Sequence, residues 1–237
     1  MVQTASAAVN RIFILSPARS SGERADLIYN PGARFDLARR LHRGEAISIG
    51  EIFTFLSGLY FRGKVAYAKT FARASRGMNG ALVITSNRGL LHVDQPLTLE
   101  DLRGFSTSEI NLKNPEYTEP LQRTAKTLAR KIGRDAEVVL LGSISTKKYV
   151  QPLLNVFGDR LKFPLEFVGR GDMSRGSLLL RAALAKKELT YASLTGAPLR
   201  GKRPPRLEPR RWNTSELKVW FEGCVKAVDS ASNRDVA

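Results

Sequence analysis

The chain has 237 residues, which is enough for one large α/β domain or two small ones. Its hydrophobic content of 43% is typical of a globular protein. Its 38 lysines and arginines face 22 acidic residues, which gives a formal net charge of +16. Such an excess attracts polyanions, and it favours DNA as the partner over an anionic membrane because no long basic amphipathic helix stands out. Two histidines and one cysteine are too few for a conventional zinc site, so the sequence predicts no metal and no cofactor.

The sequence also predicts a cytoplasmic protein that does not contact the membrane. The single cysteine, Cys224, excludes an intrachain disulfide and fits a reducing compartment. No apolar run approaches the length of a membrane span. The first ten residues lack the basic start and the long apolar segment of a signal peptide.

Short apolar runs alternate with helical periodicities along residues 11–198. Continuous apolar runs of this length are typical of buried parallel strands, and alternation with helices predicts a three-layer, single α/β domain with a mostly parallel central sheet. The predicted strands cover Arg11–Leu15, Ala81–Thr85 and Glu137–Leu141. The predicted helices cover Arg34–His42, Lys64–Arg73, Tyr117–Ile132, Tyr149–Phe157 and Ser177–Leu184.

Residues 199–237 differ from the rest in composition. The stretch Leu199–Arg211 holds six lysines and arginines, three prolines and one acid, which predicts an extended basic arm. A terminal helix over Thr214–Val228 is expected to follow, and the whole segment is expected to pack on the domain. Two interpretations of the arm stay open: a solvated linker, or a strap that binds phosphates. The strap would use Arg200, Lys202 and Arg203.

Polar, small-residue loops follow all three predicted strands. The carboxyl ends of parallel strands meet at one edge of the sheet, where open α/β proteins bind their ligands. These loops carry several hydroxyls and cations and few acids, which suits an anionic ligand. The residues expected to contact nucleic acid there are Ser16, Arg19, Ser86, Arg88, Ser143 and Lys148.

The segment 169–176 concentrates charge and glycine in eight residues. Glycine lets a backbone approach a ligand closely, and paired arginines suit phosphate or carboxylate oxygens. Arg170, Ser174 and Arg175 are therefore predicted to bind nucleic acid. Asp172 lies between the arginines and is either their structural counterion or a group with a chemical role.

The chain lacks the strong generic enzyme motifs, such as a phosphate loop, a nucleophile elbow or a dinucleotide fingerprint. An aromatic cluster surrounds Gly58. Most of the aromatic rings are expected in the core. One exposed ring, Tyr60 or Phe61, is predicted to stack on a base.

Several short motifs resemble the YaaA-like peroxide-stress proteins. Phe13–Arg19 resembles their opening "L-I-S-P-A-K", and Arg170–Arg175 resembles their "A-R-G-x-M-S-R" motif. Ser57–Tyr60 matches a Ser-Gly-Leu-Tyr element, and Leu141–Tyr149 is similar to a strand end "L-A-S-x-E-Y" with an insertion. Ile84–Leu91 resembles the "S-A-K-x-G-L" loop of a related domain group.

The resemblance implies an α/β fold with DNA-binding members. It points towards uracil-DNA-glycosylase-like architectures and towards bacterial anti-phage glycosylases that excise modified cytosines. Asn87 stands where the related group has lysine, and Asp172 fills a variable position. Both departures place a polar group where base chemistry could use it.

We therefore hypothesise a DNA glycosylase that flips a base out of the stack and hydrolyses its N-glycosidic bond. Asp172 is the first candidate for the catalytic carboxylate and Glu23 is the second, while Asn87 and Ser86 would contact the base edge. One alternative is a noncatalytic, YaaA-like DNA-binding protein for stress protection. Another is an enzyme acting on a free nucleotide or nucleoside, which would not need a net charge of +16.

Overall fold

The computed structural model describes residues 9–195, 201–202 and 204–209. The predicted helix Thr214–Val228, together with Arg200, Arg203 and Cys224, lies outside these residues. Within the described ranges, no helix is both long enough and apolar enough to cross a membrane.

Helices and strands alternate along the described chain. The helices are α1 (Glu23–Tyr29), α2 (Asp36–His42), α3 (Ile49–Ser57), α4 (Leu59–Phe71), α5 (Leu99–Thr107), α6 (Pro115–Lys131), α7 (Lys147–Phe157) and α8 (Asp172–Leu184). The strands are β1 (Arg11–Leu15), β2 (Ile47–Ser48), β3 (Ala81–Ile84), β4 (Leu90–His92), β5 (Pro96–Leu97), β6 (Glu137–Leu141), β7 (Leu161–Pro164) and β8 (Tyr191–Ser193).

Six strands form the central sheet in the order β4-β3-β1-β6-β7-β8. The inner four strands β3, β1, β6 and β7 are parallel, and the edge strands β4 and β8 are antiparallel to their neighbours. A separate antiparallel pair joins β2 to β5. Helices cover both faces of the large sheet, so the predicted three-layer α/β fold with a mostly parallel sheet is confirmed.

The continuous apolar runs are explained by burial on both faces of the sheet. In β1, Phe13 and Leu15 belong to the core under α1 to α5 and α8, whereas Ile12 and Ile14 belong to the core under α6 and α7. All four side chains have 0% exposure. Because successive side chains of a strand point to opposite faces, a strand covered on both sides reads as unbroken hydrophobicity.

The predicted helices are present with different bounds, and the largest difference is at α8. This helix begins at Asp172 and not at Ser177, so Ser174 and Arg175 lie in its first turns and not in a loop. The predicted helix began after Gly176, and glycine usually weakens a helix. In this fold Gly176 is a helical residue whose missing side chain allows close contact with α4.

Helices α4 and α8 cross with their backbones almost touching. A Cβ atom at Gly63 would lie 2.6 Å from the carbonyl oxygen of Gly176, and a Cβ atom at Gly176 would lie 2.8 Å from the Cα of Tyr60. Neither backbone can move away from such a contact without shifting a helix. Glycine at both positions therefore sets the distance between the two helices.

Acidic side chains at the amino ends of β1 and β6 are engaged by cations. Glu137 accepts hydrogen bonds from Arg11, at 2.6 Å, and from Lys162. Glu188 bonds Arg11 and lies 3.0 Å from Arg73. These carboxylates lie at the sheet edge opposite the strand-end loops.

Replacing Gly63 by alanine is expected to lower the free energy of unfolding by about 1–3 kcal/mol, because the added methyl group overpacks the crossing of α4 and α8. Urea denaturation of the two proteins measures the difference. Gly104→Ala is the matched control, since it is also a helical glycine but its Cβ atom would meet only the Asn87 amide nitrogen, at 3.7 Å. Equal stability losses in both variants would contradict the explanation.

Candidate nucleotide crevice at the strand ends

A crevice of about 580 Å³ opens at the carboxyl ends of β1 and β3, beside the start of α7. This volume falls within the range of about 300–1,000 Å³ that is typical of small-molecule sites. We call it the strand-end crevice. Its lining combines hydroxyl groups, two cations and aromatic rings, and it comprises residues 17–21, Phe53, Ser86, residues 105–110, Lys148 and Tyr149.

The first wall of the crevice is the loop that follows β1. Ser16 is buried at the strand end, and Arg19 is exposed with its Nε donating to the Ser21 hydroxyl at 3.1 Å. The backbone N–H groups of residues 18–21 donate to no acceptor in the described part of the chain. A run of free donors beside an arginine suits the oxygens of a phosphate.

The second wall comes from the residue after β3 and from α5. The Ser86 hydroxyl donates to the carbonyl of Phe105 at 3.0 Å, and the Ser108 hydroxyl donates to the carbonyl of Ser86 at 3.3 Å. These bonds fix the loop against the end of α5. Ser86 therefore lines the crevice as predicted, but its own proton is already used within the protein.

The third wall is the start of α7. Lys148 lies over the ring of Tyr149, with its Nζ 5.3 Å from the ring centroid. Burial, followed by the negative charge of Asp172, raises the pKa of the Tyr149 hydroxyl to about 12. Lys148 lines the crevice as predicted, and Tyr149 presents a partly exposed aromatic ring that the sequence reading did not select.

One carboxylate, Glu109, is among the described residues that line the crevice. It is exposed, directly after the end of α5. The three predicted catalytic residues lie elsewhere or are already engaged. Glu23 is exposed in the first turn of α1, and the Asn87 amide donates to the carbonyl of Gly104 at 2.9 Å.

Asp172 also lies outside the strand-end crevice. It is exposed in the first turn of α8, and its Oδ1 lies 3.5 Å from an Nη of Arg175, a separation typical of a loose surface ion pair. Its field nevertheless reaches the buried interior, where it adds to the raised pKa values of Tyr60 and Tyr149 and opposes the lowering of the Lys64 pKa by burial.

Most of segment 169–176 faces the C-terminal arm, and none of it lines the crevice. It lines a second groove of about 290 Å³ together with residues 204–209. Arg170 donates to the Ser174 hydroxyl and to the carbonyl of Pro205, each at 3.2 Å. Arg175 donates to the carbonyl of Phe167, and the carbonyl of Lys202 packs against Gly169.

Two other predicted nucleic-acid contacts are engaged locally. Arg88 forms an ion pair with Asp101 at 2.5 Å, which ties it to the capping box of α5. The hydroxyls of Ser143 and Ser145 lie 2.9 Å apart and hydrogen-bond to each other.

The base-stacking prediction for Phe61 is wrong, because its side chain has 0% exposure in the core. Tyr60 is 6% exposed and is likewise enclosed. Both residues occupy the inner face of α4, where the helix packs on the sheet. Their rings flank the amino group of Lys64, at 4.5 Å and 4.7 Å from their centroids.

Lys64 is a buried titratable residue that the sequence reading missed. It has 1% exposure, and its Nζ donates to the carbonyl of Ser16 at 2.5 Å and to the Ser16 hydroxyl at 3.0 Å. Burial lowers the pKa of its ammonium group to about 7. A signal was available: Lys64 lies three and four residues after Phe61 and Tyr60, on the apolar face of α4, where a charge is exceptional.

No family model, characterised protein or solved structure matches this chain. The likeness to YaaA-like proteins therefore stays a prediction from short motifs.

Lys64 is expected to make stability rise with pH above neutrality. Its pKa falls from 10.5 to about 7 on folding, so between these values the unfolded chain binds a proton that the folded chain does not. The free energy of unfolding should then rise by about 1.4 kcal/mol per pH unit relative to Lys64→Met, and should gain nothing from this residue below about pH 7. Urea denaturation of both proteins between about pH 6 and about pH 9 measures the difference. Parallel pH profiles would contradict the prediction.

Proposed function

We propose that the protein is a DNA N-glycosylase that accepts a flipped nucleotide in the strand-end crevice. The observation that carries the proposal is the lining of this crevice, which combines cations, hydroxyl groups and aromatic rings at one sheet edge. Arg19, Lys148 and the free backbone donors of residues 18–21 suit phosphates, and Tyr149 offers a ring for stacking. The net charge of +16 favours DNA over a free nucleotide as the source of that nucleotide.

The reaction that we propose is hydrolysis of the bond between the base and C1′ of deoxyribose. The bond breaks as the sugar acquires oxocarbenium character, and a water molecule then adds its hydroxyl to C1′ while its remaining proton ends on the departing base. Glu109 is the described carboxylate that can orient this water from the crevice wall. Asp172 would act at longer range, by stabilising positive charge through its field at Tyr149.

A basic stripe on α6 supports contact with the DNA backbone outside the crevice. Arg123, Lys126 and Arg130 are exposed, and their spacing of three and then four residues places them on one face of the helix. None of them forms an ion pair with an acid among the described residues. When such cations neutralise phosphates, the counterions condensed on the DNA are released, which makes binding sensitive to salt.

A noncatalytic DNA-binding protein is the second candidate. The observation that favours it is the scarcity of acids at the crevice, since Glu109 is exposed and Asp172 lies outside the lining. Catalysis by a carboxylate benefits from burial and fixed geometry, whereas binding needs neither.

The glycosylase proposal predicts abasic sites in DNA that has been incubated with the protein. Double- and single-stranded DNA with modified and unmodified cytosines would be treated, cleaved with alkali and analysed by electrophoresis. Glu109→Gln should lower the rate of base release by about 100-fold or more, because it removes the group that orients water. Asp172→Asn should lower the rate by a smaller factor.

Glu100→Gln is the matched control, since Glu100 is an exposed acid of α5 that does not line the crevice. It should retain full activity. Binding of DNA without base release from any substrate would reject the glycosylase and support the noncatalytic candidate. Release of bases from free nucleosides alone would support the third hypothesis, an enzyme on nucleotides.

Replacing Arg123, Lys126 and Arg130 together by glutamine should weaken DNA binding and reduce its dependence on salt. Each phosphate contact contributes about 0.9 to the slope of log K against log salt concentration, so three contacts account for a change of up to about 3. Fluorescence anisotropy with a labelled duplex at several salt concentrations measures the slope.

The control changes the same number of charges on α2, by replacing Arg39, Arg40 and Arg43 with glutamine. These arginines already pair with the acids Asp36 and Glu45. Their variant should keep a slope close to that of the parent protein. Identical slopes in the two triple variants would show that net charge, and not the stripe on α6, governs binding.

A further inference from the structure

The buried amino group of Lys64 lies directly beneath the loop that forms the first wall of the strand-end crevice. It donates hydrogen bonds to the carbonyl and the hydroxyl of Ser16, the first residue after β1. Gly142 presses on Ser16 from the neighbouring strand end, since a Cβ atom there would lie 2.8 Å from the Cβ of Ser16. The Ser16 side chain thus lies between Lys64 and Gly142. The hydrogen bonds from Lys64 to Ser16 fix the start of the loop that follows β1.

Lys64 has no carboxylate within ion-pair distance among the described residues. From α8, Asp172 attracts its charge over a longer distance, and Arg175 lies on the same helix turn as Asp172. From α4 itself, the ring of Tyr60 lies 4.5 Å from the Nζ of Lys64, and the buried Tyr60 hydroxyl is close to Arg175. An ammonium group enclosed in this way is poorly compensated, so it gives up its proton readily.

Burial excludes a direct contact between the Lys64 amine and a reacting group. With 1% exposure, the Lys64 amine cannot meet a ligand unless α4 moves away from the sheet. Its influence on the crevice passes instead through its electric field and through its bonds to Ser16. At low effective dielectric such a field extends farther than that of an exposed lysine.

The residues after Ser16 form an arrangement to which this field can contribute. Residues 17–21 line the crevice, the N–H groups of residues 18–21 have no acceptor in the described chain, and Arg19 is exposed there. A buried positive charge below such donors increases the attraction for a phosphate oxygen above them.

We propose that Lys64 is a positioning residue of an anion site at the strand-end crevice, and that a phosphodiester bound there draws a proton onto Lys64. The ligand class rests on the proposed function, whereas the coupling between anion and proton does not depend on base release. A bound anion stabilises the charged amine, so the bound protein holds the proton to higher pH than the free protein does.

The sign of the effect follows from the free protein, in which the Lys64 pKa is about 7. Below about pH 6 both free and bound protein carry the charge, and affinity for the anion should not vary with pH. Above about pH 7 the free protein has lost the proton, so binding must recover it and affinity should fall by up to tenfold per pH unit. The arginines near the site stay charged throughout this range.

The test is isothermal titration calorimetry of the full chain with a short oligodeoxyadenylate that carries no terminal phosphate. Neither its phosphodiesters nor its bases titrate between about pH 6 and about pH 9, so any proton uptake belongs to the protein. Titrations in two buffers of different ionisation enthalpy give the number of protons taken up. We expect almost none at about pH 6 and an increase towards one above pH 7.

Two variants separate Lys64 from other groups. Lys64→Met should bind more weakly at about pH 6 and should lose both the proton uptake and the pH dependence. Lys69→Met is the matched control on the same helix, because Lys69 is also largely enclosed but pairs with Asp94 at 2.6 Å. It should keep both properties.

Binding that shows no proton uptake in the wild-type protein overturns the proposal, even if Lys64→Met does not fold. Uptake that persists in a folded Lys64→Met variant also overturns it, as does a lack of binding at every pH. These outcomes are distinct from the failure of the glycosylase: proton uptake without base release upholds the anion site and rejects the enzyme. Base release with pH-independent binding upholds the enzyme and rejects the proposed role of Lys64.

Discussion

The close crossing of α4 and α8 is the constraint on which the candidate site depends. Gly63 and Gly176 allow the two backbones to approach until no side chain fits between them. The crossing brings the inner face of α4 against the sheet and places the first turn of α8 near the same strand ends. As a result Lys64, from the middle of α4, reaches the end of β1, and the charge of Asp172, from the start of α8, is felt in the same interior.

The strand-end crevice combines two kinds of polar group with different duties. The hydroxyls of Ser86 and Ser108 bond to backbone carbonyls and hold the loops in place. Arg19 and Lys148 line the crevice without bonds to backbone carbonyls, and the N–H groups of residues 18–21 donate to no acceptor in the described part of the chain. Inner hydrogen bonds that hold the loops, together with donors that lack acceptors, support the anion site that we propose.

The amino-acid sequence was sufficient to predict the fold class and the edge of the sheet at which the crevice lies. Strands buried on both faces leave a strong signal, since every side chain of β1 after Arg11 must be apolar. Arg19, Ser86 and Lys148 come from segments that follow three of these strands, and all three line the crevice, whereas their contact with nucleic acid stays a prediction. The location of the crevice could be predicted from one rule, namely that the carboxyl ends of parallel strands meet at one edge of the sheet.

The segment 169–176 could not be placed correctly from sequence because its glycines serve helix packing and arm contact. Nothing in a local pattern distinguishes a glycine that approaches a ligand from one that approaches another helix. Lys64 was missed for a related reason: its environment is set by the end of β1, which is far away in the chain. Glu109 lies after α5, and its place at the crevice depends on the packing of the end of α5 against Ser86, which no local pattern in the sequence indicates.

The contacts between the arm and α8 have a consequence for any shortened form of the protein. The arginines Arg170 and Arg181 donate to the carbonyls of Pro205 and Glu208, so their guanidinium groups are partly occupied by the arm. Removal of the chain beyond residue 198 would take away basic side chains and at the same time uncover two others. A truncated protein therefore exposes Arg170 before the start of α8 and Arg181 in its last turn, and a change in its affinity for DNA reports the balance of both effects.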